Sequence, residues 1–190
     1  ARLADAAPAN MVLLRGFDQP PALPRFPETF QLRAAAIAAY PMYRGLARLV
    51  GMEVLKTGGD FADEVATLRR HWDEYDFFFL HYKDPDRAGE DGDFAAKVRA
   101  LERLDGFVPE LRALRPDVLV VTGDHASPAV LAGHGWHPVP VLLWSRHCGA
   151  DPVRTFDERA CAAGSLGVLP AQHLMPLVMA NALRLTKFGA

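Results

Sequence analysis

The fold is indicated first by the sequence D-F-F-F-L-H-Y at residues 76–82, which leads directly into K-D-P-D-R-A-G-E-D-G at residues 83–92. A short, continuous apolar run is typical of a strand buried in a parallel sheet. The run that follows it is polar and rich in carboxylates. In open α/β sheets, ligands gather at the carboxyl ends of the strands. This stretch therefore predicts both an α/β fold and a ligand site at one edge of its sheet.

Strands and helices are predicted to alternate on both sides of this stretch. Residues 117–121 and 139–144 are two further apolar runs of strand length, and both are interpreted as buried strands. Residues 31–39 are rich in alanine and fit either a strand or a helix. Helical spacing or capping residues predict helices at residues 40–51, 60–72, 93–104 (extended or restarted at 109–114) and about 171–185. The alternation predicts an open, mostly parallel sheet flanked by helices.

Two of these helices carry apolar residues at helical spacing, which predicts the faces that they turn to the core. The first face has Met42, Leu46, Leu49 and Val50, and the second has Phe94, Val98, Leu101 and Leu104. Residues 1–30 contain five prolines and are predicted to be a connector, or the tail of an upstream or inserted domain. Residues 31–190 are predicted to form the α/β unit.

The composition limits the classes of function. The 190 residues are enough for one α/β domain, and the net charge of −2 gives no electrostatic reason to expect a nucleic acid or an anionic membrane as partner. No apolar run approaches the ~20 residues that span a bilayer, and no signal peptide is recognised. Cys148 and Cys161 lie in no metal or redox spacing. We therefore expect a cytoplasmic protein without disulfides.

Potential metal ligands stand beside each of the three apolar runs. Asp86 and Glu90 follow the first run, Asp124 and His125 follow the second, and His134 precedes the third. Taken singly, each has an alternative role, as a helix cap, a packed histidine or a surface residue. Together at one sheet edge, they are oxygen and nitrogen ligands suited to Mn²⁺, Mg²⁺, Co²⁺ or Zn²⁺.

Several motifs of the chain resemble those of the archaeal-type cofactor-independent phosphoglycerate mutases, in the alkaline phosphatase superfamily. The similar segments are H-Y-K-D-P-D-R-A-G-E-D-G at 81–92, T-G-D-H-A-S-P at 122–128, H-G-W-H-P-V-P at 134–140, N-M-V-L-L-R-G at 10–16, residues 40–52, F-D-E at 156–158 and K-F-G-A at 187–190. The likeness covers essentially the whole chain, as the C-terminal part of that family. It implies an alkaline-phosphatase-like fold that is incomplete without an upstream segment, with residues 31–190 as the C-terminal part of the metal-binding domain.

The resemblance also implies an activity. Members of the family are isomerases of glycolysis, in which a serine takes up the phosphoryl group of bound phosphoglycerate and returns it to the other hydroxyl, so that 2- and 3-phosphoglycerate interconvert. Two divalent ions are implied, with Mn²⁺ favoured. The first would be held by Asp86, Glu90 and His134, and the second by Asp124 and His125. Paired cations stabilise both the attacking and the leaving oxygen in such a transfer.

Three basic residues are candidates for binding the anionic substrate. Lys83 is placed to neutralise phosphate or carboxylate charge, and Arg15 and Arg44 are candidate anion clamps, because a guanidinium grips an oxyanion through two hydrogen bonds. The alternative for each is an ordinary solvated side chain.

The chain departs from the family pattern in two places. Glu90 stands where the family has histidine, which makes the site more anionic and favours Mn²⁺ or Mg²⁺ over Zn²⁺. The family's N-terminal segment, with the nucleophilic serine and a further metal-binding aspartate, has no match in these residues. Ser127, Ser145 and Ser165 do not match that nucleophile, so an upstream segment of the same enzyme is an expected partner.

These departures leave two alternatives to the mutase. One is another metal-dependent phosphohydrolase or phosphotransferase of the same superfamily that acts on a different small phosphate ester. The other is a degenerate domain that binds metal or a partner without chemistry.

Overall fold

The structure is a computed structural model that describes Leu14, residues 17–19 and residues 21–185. Its strands are β1 (Ala34–Ala38), β2 (Glu53–Val54), β3 (Phe77–His81), β4 (Val118–Val121) and β5 (Leu142–Ser145). Its α-helices are α1 (Phe26–Phe30), α2 (Pro41–Leu49), α3 (Phe61–Arg70), α4 (Asp84–Glu90), α5 (Phe94–Ala113), α6 (Glu158–Ala162) and α7 (Leu174–Asn181). Two 3₁₀ turns lie at Ala129–Leu131 and Ala171–His173.

A parallel three-stranded sheet in the order β2-β1-β3 forms the centre of the fold. The alanine-rich segment is its middle strand, and all five residues of β1 are between 0 and 5% exposed. Alanine side chains are short, so the helices that cover the strand can approach it closely. The core cluster of Ala35, Ile37, Leu55 and Leu68 lies here, with Phe78 of β3 packed against it. The fold is thus α/β with a parallel sheet flanked by helices, as predicted.

Local sequence signals explain where the helices begin. The side chain of Asp60 accepts a hydrogen bond from the Asp63 amide at the start of α3, and Asp93 accepts one from the Ala96 amide at the start of α5. Such bonds satisfy amides that have no partner within the helix. Pro41 and Pro85 lie in the first turns of α2 and α4, where the missing N–H of proline costs nothing. The predicted helices at 40–51, 60–72 and 93–104 are confirmed, and α5 runs on through Pro109 without a restart.

The second sheet is an antiparallel pair of β4 and β5, with Val118 opposite Ser145. The prediction that these two strands are buried is wrong: Leu142 is 36% and Trp144 43% exposed, and all of β4 is half-buried. An apolar run identifies a strand, but its burial depends on which elements cover it. Among the described elements, α7 lies against β4.

The predicted core faces of two helices are also wrong. In α2 the side chains turned to the sheet are Tyr43 and Ala47, and Met42, Leu46 and Leu49 are exposed. In α5 Ala100 is buried and Phe94, Val98 and Leu101 are exposed. Spacing alone predicted an apolar stripe correctly in both cases, but smaller residues beside that stripe are the buried ones, against the sheet in α2 and, in α5, in a helix that packs on α4.

The stretch predicted as a connector contributes one short helix to this arrangement. The Phe26 ring of α1 lies 4.8 Å from the Phe77 ring of β3, and the Phe26 amide donates to the carbonyl of Val50. Whether residues 1–30 connect to another domain stays a prediction. Within the described part of the chain, no helix combines the length and the apolar composition needed to cross a membrane.

Candidate metal centre

Three segments bring the predicted ligands to one place. Helix α4 begins three residues after β3 ends and carries Asp86 and Glu90. The loop after β4 carries Asp124 and His125. The same loop folds back through an antiparallel bridge between Ala126 and Gly135, which places His134 beside His125. The ring centroids of the two histidines are 3.9 Å apart.

Asp86, His125 and His134 form the centre of the site. Each offers one ligand atom, and these atoms all lie within 4.8 Å of one another. The Asp86 carboxylate lies 3.7 Å from Nδ1 of His125 and 3.8 Å from Nε2 of His134. A carboxylate and two imidazoles at this separation are a ligand set that suits a divalent transition metal.

The other two predicted ligands flank this group on opposite sides. Oε1 of Glu90 is 3.2 Å from Nε2 of His134, and Oδ2 of Asp124 is 3.6 Å from Nε2 of His125. The structure therefore brings all five predicted ligands together. His125 faces Asp86 with one ring nitrogen and Asp124 with the other, so it stands between the two carboxylates.

Lys83 and Ser127 surround the carboxylate of Asp86. The Lys83 ammonium donates to Oδ2 of Asp86 and lies 3.9 Å from Glu90, and the Ser127 hydroxyl donates to Oδ1. Burial works to raise the pKa of Asp86, but the hydrogen bonds from Lys83 and Ser127 outweigh it and hold that pKa below its usual value. The same bond to Asp86 raises the pKa of Lys83. Asp86 is therefore an anion and Lys83 a cation at neutral pH, and the Lys83 ammonium lies beside the metal ligands.

The segment around Ser127 is fixed tightly against α4 and α5. Ser127 is 5% exposed, its hydroxyl is also 3.1 Å from Nδ1 of His125, and Lys97 of α5 donates to its carbonyl oxygen. Gly89 of α4 packs so closely on this carbonyl that an added Cβ would clash with it. These contacts give Ser127 a structural role, in agreement with its failure to match the family's nucleophile.

Tyr43 is a site residue that the sequence analysis missed. It lies in the first turns of α2, its hydroxyl donates to Oδ2 of Asp124, and its ring stacks on His81 with centroids 3.6 Å apart. Burial works to raise the pKa of Asp124, but the bond from Tyr43 outweighs it and lowers that pKa. Burial, followed by the hydrogen bond to Asp124 and the charge of that carboxylate, raises the pKa of the Tyr43 hydroxyl well above its usual range. The sequence signal that could have identified Tyr43 was its position just after the carboxyl end of a strand, one helical turn before Ala47.

The two candidate arginines have different outcomes. Arg15 lies outside the described residues. Arg44 lies in α2 next to Tyr43 and is half-buried, and it makes no ion pair with any carboxylate in the part of the chain that the structure describes. The substrate role of Lys83, Arg15 and Arg44 therefore stays a prediction, and Lys83 is the one of the three that lies against the metal ligands.

Comparison with known proteins agrees with this geometry. Over 188 residues the chain is 52% identical to the "Probable 2,3-bisphosphoglycerate-independent phosphoglycerate mutase" of Thermotoga neapolitana, which covers 99% of this chain and 47% of that protein. The chain thus spans about half the length of the curated relatives it matches.

Two solved structures have the same fold. The PH0037 protein from Pyrococcus horikoshii matches with a TM-score of 0.84 and 29% identity, over 88% of this chain and 54% of that one. The cofactor-independent phosphoglycerate mutase from Thermoplasma acidophilum matches with a TM-score of 0.65 and 25% identity, over 85% of this chain and 40% of that one. The resemblance stated from the motifs is confirmed.

A family model also matches nearly the whole chain. The match extends over residues 6–181, which include all five predicted ligands and the strands that position them. A metal-binding function agrees with the cluster of Asp86, His125 and His134. The chain belongs to the Metalloenzyme superfamily.

Proposed function

We propose that this chain supplies the metal-binding part of a cofactor-independent phosphoglycerate mutase, which interconverts 2- and 3-phosphoglycerate through a phosphoserine. The observation that carries the proposal is the convergence of Asp86, His125 and His134, with Glu90 and Asp124 at its two sides. The relatives and the Thermoplasma acidophilum structure supply the reaction and the substrate by their names.

The donor set supports two divalent ions. Asp86, Glu90 and His134 would hold one, and Asp124 and His125 the other. His125 has a carboxylate near each ring nitrogen, at 3.7 and 3.6 Å. Three carboxylates and two imidazoles make a hard, anionic site, which favours Mn²⁺. When bound, the ions would supply positive charge to the oxygens of the transferred phosphoryl group.

The protein's own residues would prepare the site for the substrate. Lys83 holds an ammonium between Asp86 and Glu90, so it is placed to bind an anionic oxygen of phosphoglycerate. Arg44, without a carboxylate partner among the described residues, and Arg15 are the proposed clamps for the remaining charge of the substrate.

The nucleophilic serine is assigned to polypeptide outside these 190 residues. The Ser127 hydroxyl is buried and bonded to Asp86 and His125. The Ser145 hydroxyl is buried, donates to Asn181 and accepts from the amides of residues 147 and 148. Ser165 is exposed and bonds to Asp151 in a loop. Each hydroxyl has a structural role that a nucleophile would have to abandon.

The test is a coupled assay on the whole protein as its host makes it. Conversion of 3-phosphoglycerate to 2-phosphoglycerate is measured without added bisphosphoglycerate, before and after EDTA and again with Mn²⁺. We expect activity that EDTA removes and Mn²⁺ restores. Asp124→Asn should lower the activity at least about 100-fold, because it removes a metal-ligating charge. The matched control is Asp105→Asn, at an exposed position of α5, which should keep wild-type activity.

The outcomes separate the alternatives. Metal-dependent turnover of another phosphate ester, with none of phosphoglycerate, would move the assignment to a different phosphotransferase or phosphohydrolase. Absence of turnover with every ester, together with a metal content that Asp124→Asn does not change, would identify a degenerate domain.

A further inference from the structure

Tyr43 is held in a fixed position by its surroundings. It is 7% exposed, its ring lies 3.6 Å from the His81 ring at an interplanar angle of 25°, and the Phe79 ring is 6.3 Å away on the same strand. Both partners belong to β3, and α2 follows β1 after two residues, so the tyrosine is anchored to the central parallel sheet. Its hydroxyl therefore has little freedom to move.

Asp124 has a less rigid position. It lies in the loop after β4, its side chain is 53% exposed, and its Oδ1 accepts a bond from the amide of the next residue, His125, at 3.1 Å. That bond is local and moves with the loop. The bond from Tyr43 to Oδ2 connects Asp124 to helix α2 and, through it, to the central parallel sheet.

His81 provides a neutral surface behind Tyr43. Burial lowers the pKa of His81, and its Nδ1 is buried and has no hydrogen-bond partner within residues 21–185. A buried polar atom without a partner is unfavourable, so this atom does not stabilise the ring in its place. Its contribution to the site is the stacking that keeps the Tyr43 ring in place.

We propose that Tyr43 is a positioning residue for the metal centre, which orients the Asp124 carboxylate through its hydroxyl so that Asp124 can ligate a divalent ion. The proposal rests on the proposed function, because it assumes that Asp124 is a metal ligand. Hydrogen bonds to ligating carboxylates fix their orientation, and loss of such a bond typically weakens metal affinity about 10- to 100-fold. The stacking against His81 requires only an aromatic ring, whereas the bond to Asp124 requires the hydroxyl.

The test compares Mn²⁺ binding by the whole protein and its Tyr43→Phe variant. The substitution keeps the ring and removes only the hydroxyl. We expect the Kd for Mn²⁺, measured by electron paramagnetic resonance of the free ion, to rise about 10- to 100-fold, with an altered spectrum of the bound ion and a nearly unchanged Tm. In an Asp124→Asn background the same substitution should cause no further change in Kd.

Tyr75→Phe is the matched control. Tyr75 precedes β3 at the other end of the strand, and its ring packs edge-on against Phe78 with centroids 5.7 Å apart. This variant should bind Mn²⁺ as the wild type does. If Tyr43→Phe also kept the wild-type Kd while Asp124→Asn lost binding, the positioning role would be overturned and the proposed function would stand. A wild-type protein that bound no Mn²⁺ would overturn the proposed function, and this inference with it.

Discussion

The central strand β1 has mostly small side chains and is buried, whereas the edge strand β5 has large apolar side chains and is partly exposed. β1 is Ala-Ala-Ala-Ile-Ala and is almost inaccessible, whereas β5 is Leu-Leu-Trp-Ser and exposes Leu142 and Trp144. β1 has a parallel strand on each side, and α2 and α3 lie against it. β5 pairs only with β4 among the described strands. The covering elements, more than the apolar character of a strand, determine how much of it is buried.

The metal centre lies between the parallel sheet with its helices and the antiparallel pair of β4 and β5, the two layers of the fold. Asp86 follows β3 of the parallel sheet, and Asp124 and His125 follow β4 of the antiparallel pair. The bonds from Ser127 to Asp86 and from Tyr43 to Asp124 each cross from one layer to the other. The geometry of such a site depends on the relative position of the two layers. Substitutions in either layer therefore test the comparison between them.

The largest expected effect tests the difference in burial directly. Ile37→Ala in β1 removes a side chain that is 0% exposed and leaves a cavity in the core cluster. We expect the free energy of unfolding to fall by about 3 kcal/mol. Leu142→Ala in β5 removes a similar volume from a site that is already exposed to solvent, and should cost less than about 1 kcal/mol.

Urea denaturation of both variants and the wild type provides the measurement. Equal losses from the two strands would contradict the comparison. They would mean that β5 is covered, in the whole protein, by polypeptide that lies beyond the described residues.

The second effect concerns a carboxylate buried beside β1. Glu64 of α3 is 2% exposed, one oxygen accepts from the Ala39 amide at 2.7 Å, and Oε2 has no partner in residues 21–185. Burial raises the pKa of Glu64 from its ordinary 4.5 to about 8, although the Ala39 bond works against it. The folded state therefore keeps a proton that the unfolded state releases between these two pH values. Glu64 therefore contributes stability that is complete below pH 4.5 and is lost as the pH rises towards 8.

We expect the wild-type free energy of unfolding to fall by about 2 kcal/mol between pH 6 and 7.5, at about 1.4 kcal/mol per pH unit. Glu64→Gln cannot release a proton, so most of this decline should disappear. Glu102→Gln, at an exposed position of α5, is the control and should retain the wild-type decline. A Glu64→Gln variant with the full wild-type decline would show that another group is responsible.

The sequence predicted the elements of the fold better than their packing. Apolar runs and caps at Asp60 and Asp93 located the strands and helices, because these signals are local in the chain. The buried faces of α2 and α5 were predicted wrongly, since Met42 and Phe94 look more suitable for a core than Ala47 and Ala100. Which face is buried depends on how closely a helix approaches the element it packs on, the sheet for α2 and helix α4 for α5, and no local pattern encodes that distance.

In the candidate site, likewise, the ligands were predicted and the contacts around them were not. All five predicted ligands converge, because the segments that follow the carboxyl ends of β3 and β4 meet and the Ala126–Gly135 bridge returns His134 to them. Two residues around those ligands were not predicted: Tyr43, which donates to Asp124, and Lys97, which donates to the carbonyl of Ser127. Tyr43 and Asp124 are 81 positions apart in the chain, so their bond follows from the tertiary fold alone.

The smallest expected effect on stability tests the contact between the layers. In α4, Gly89 lies against the Ser127 carbonyl with no room for a Cβ, whereas an added Cβ at Gly106 of α5 would meet no atom within 4 Å among the described residues. Gly89→Ala should lower the free energy of unfolding by about 1 to 2 kcal/mol, because the loop or the helix must move. Gly106→Ala should raise it by about 0.7 kcal/mol, because alanine favours the helix.

The same pair of variants shows whether this contact also aligns the ligands. Movement of the Ser127 carbonyl would displace His125, two residues before it, relative to Asp86 on α4. Gly89→Ala should therefore weaken Mn²⁺ binding in the electron paramagnetic resonance assay, and Gly106→Ala should leave it unchanged. A Gly89→Ala protein that lost stability but bound Mn²⁺ as tightly as the wild type would show that the packing of α4 on the loop stabilises the fold without aligning the metal ligands.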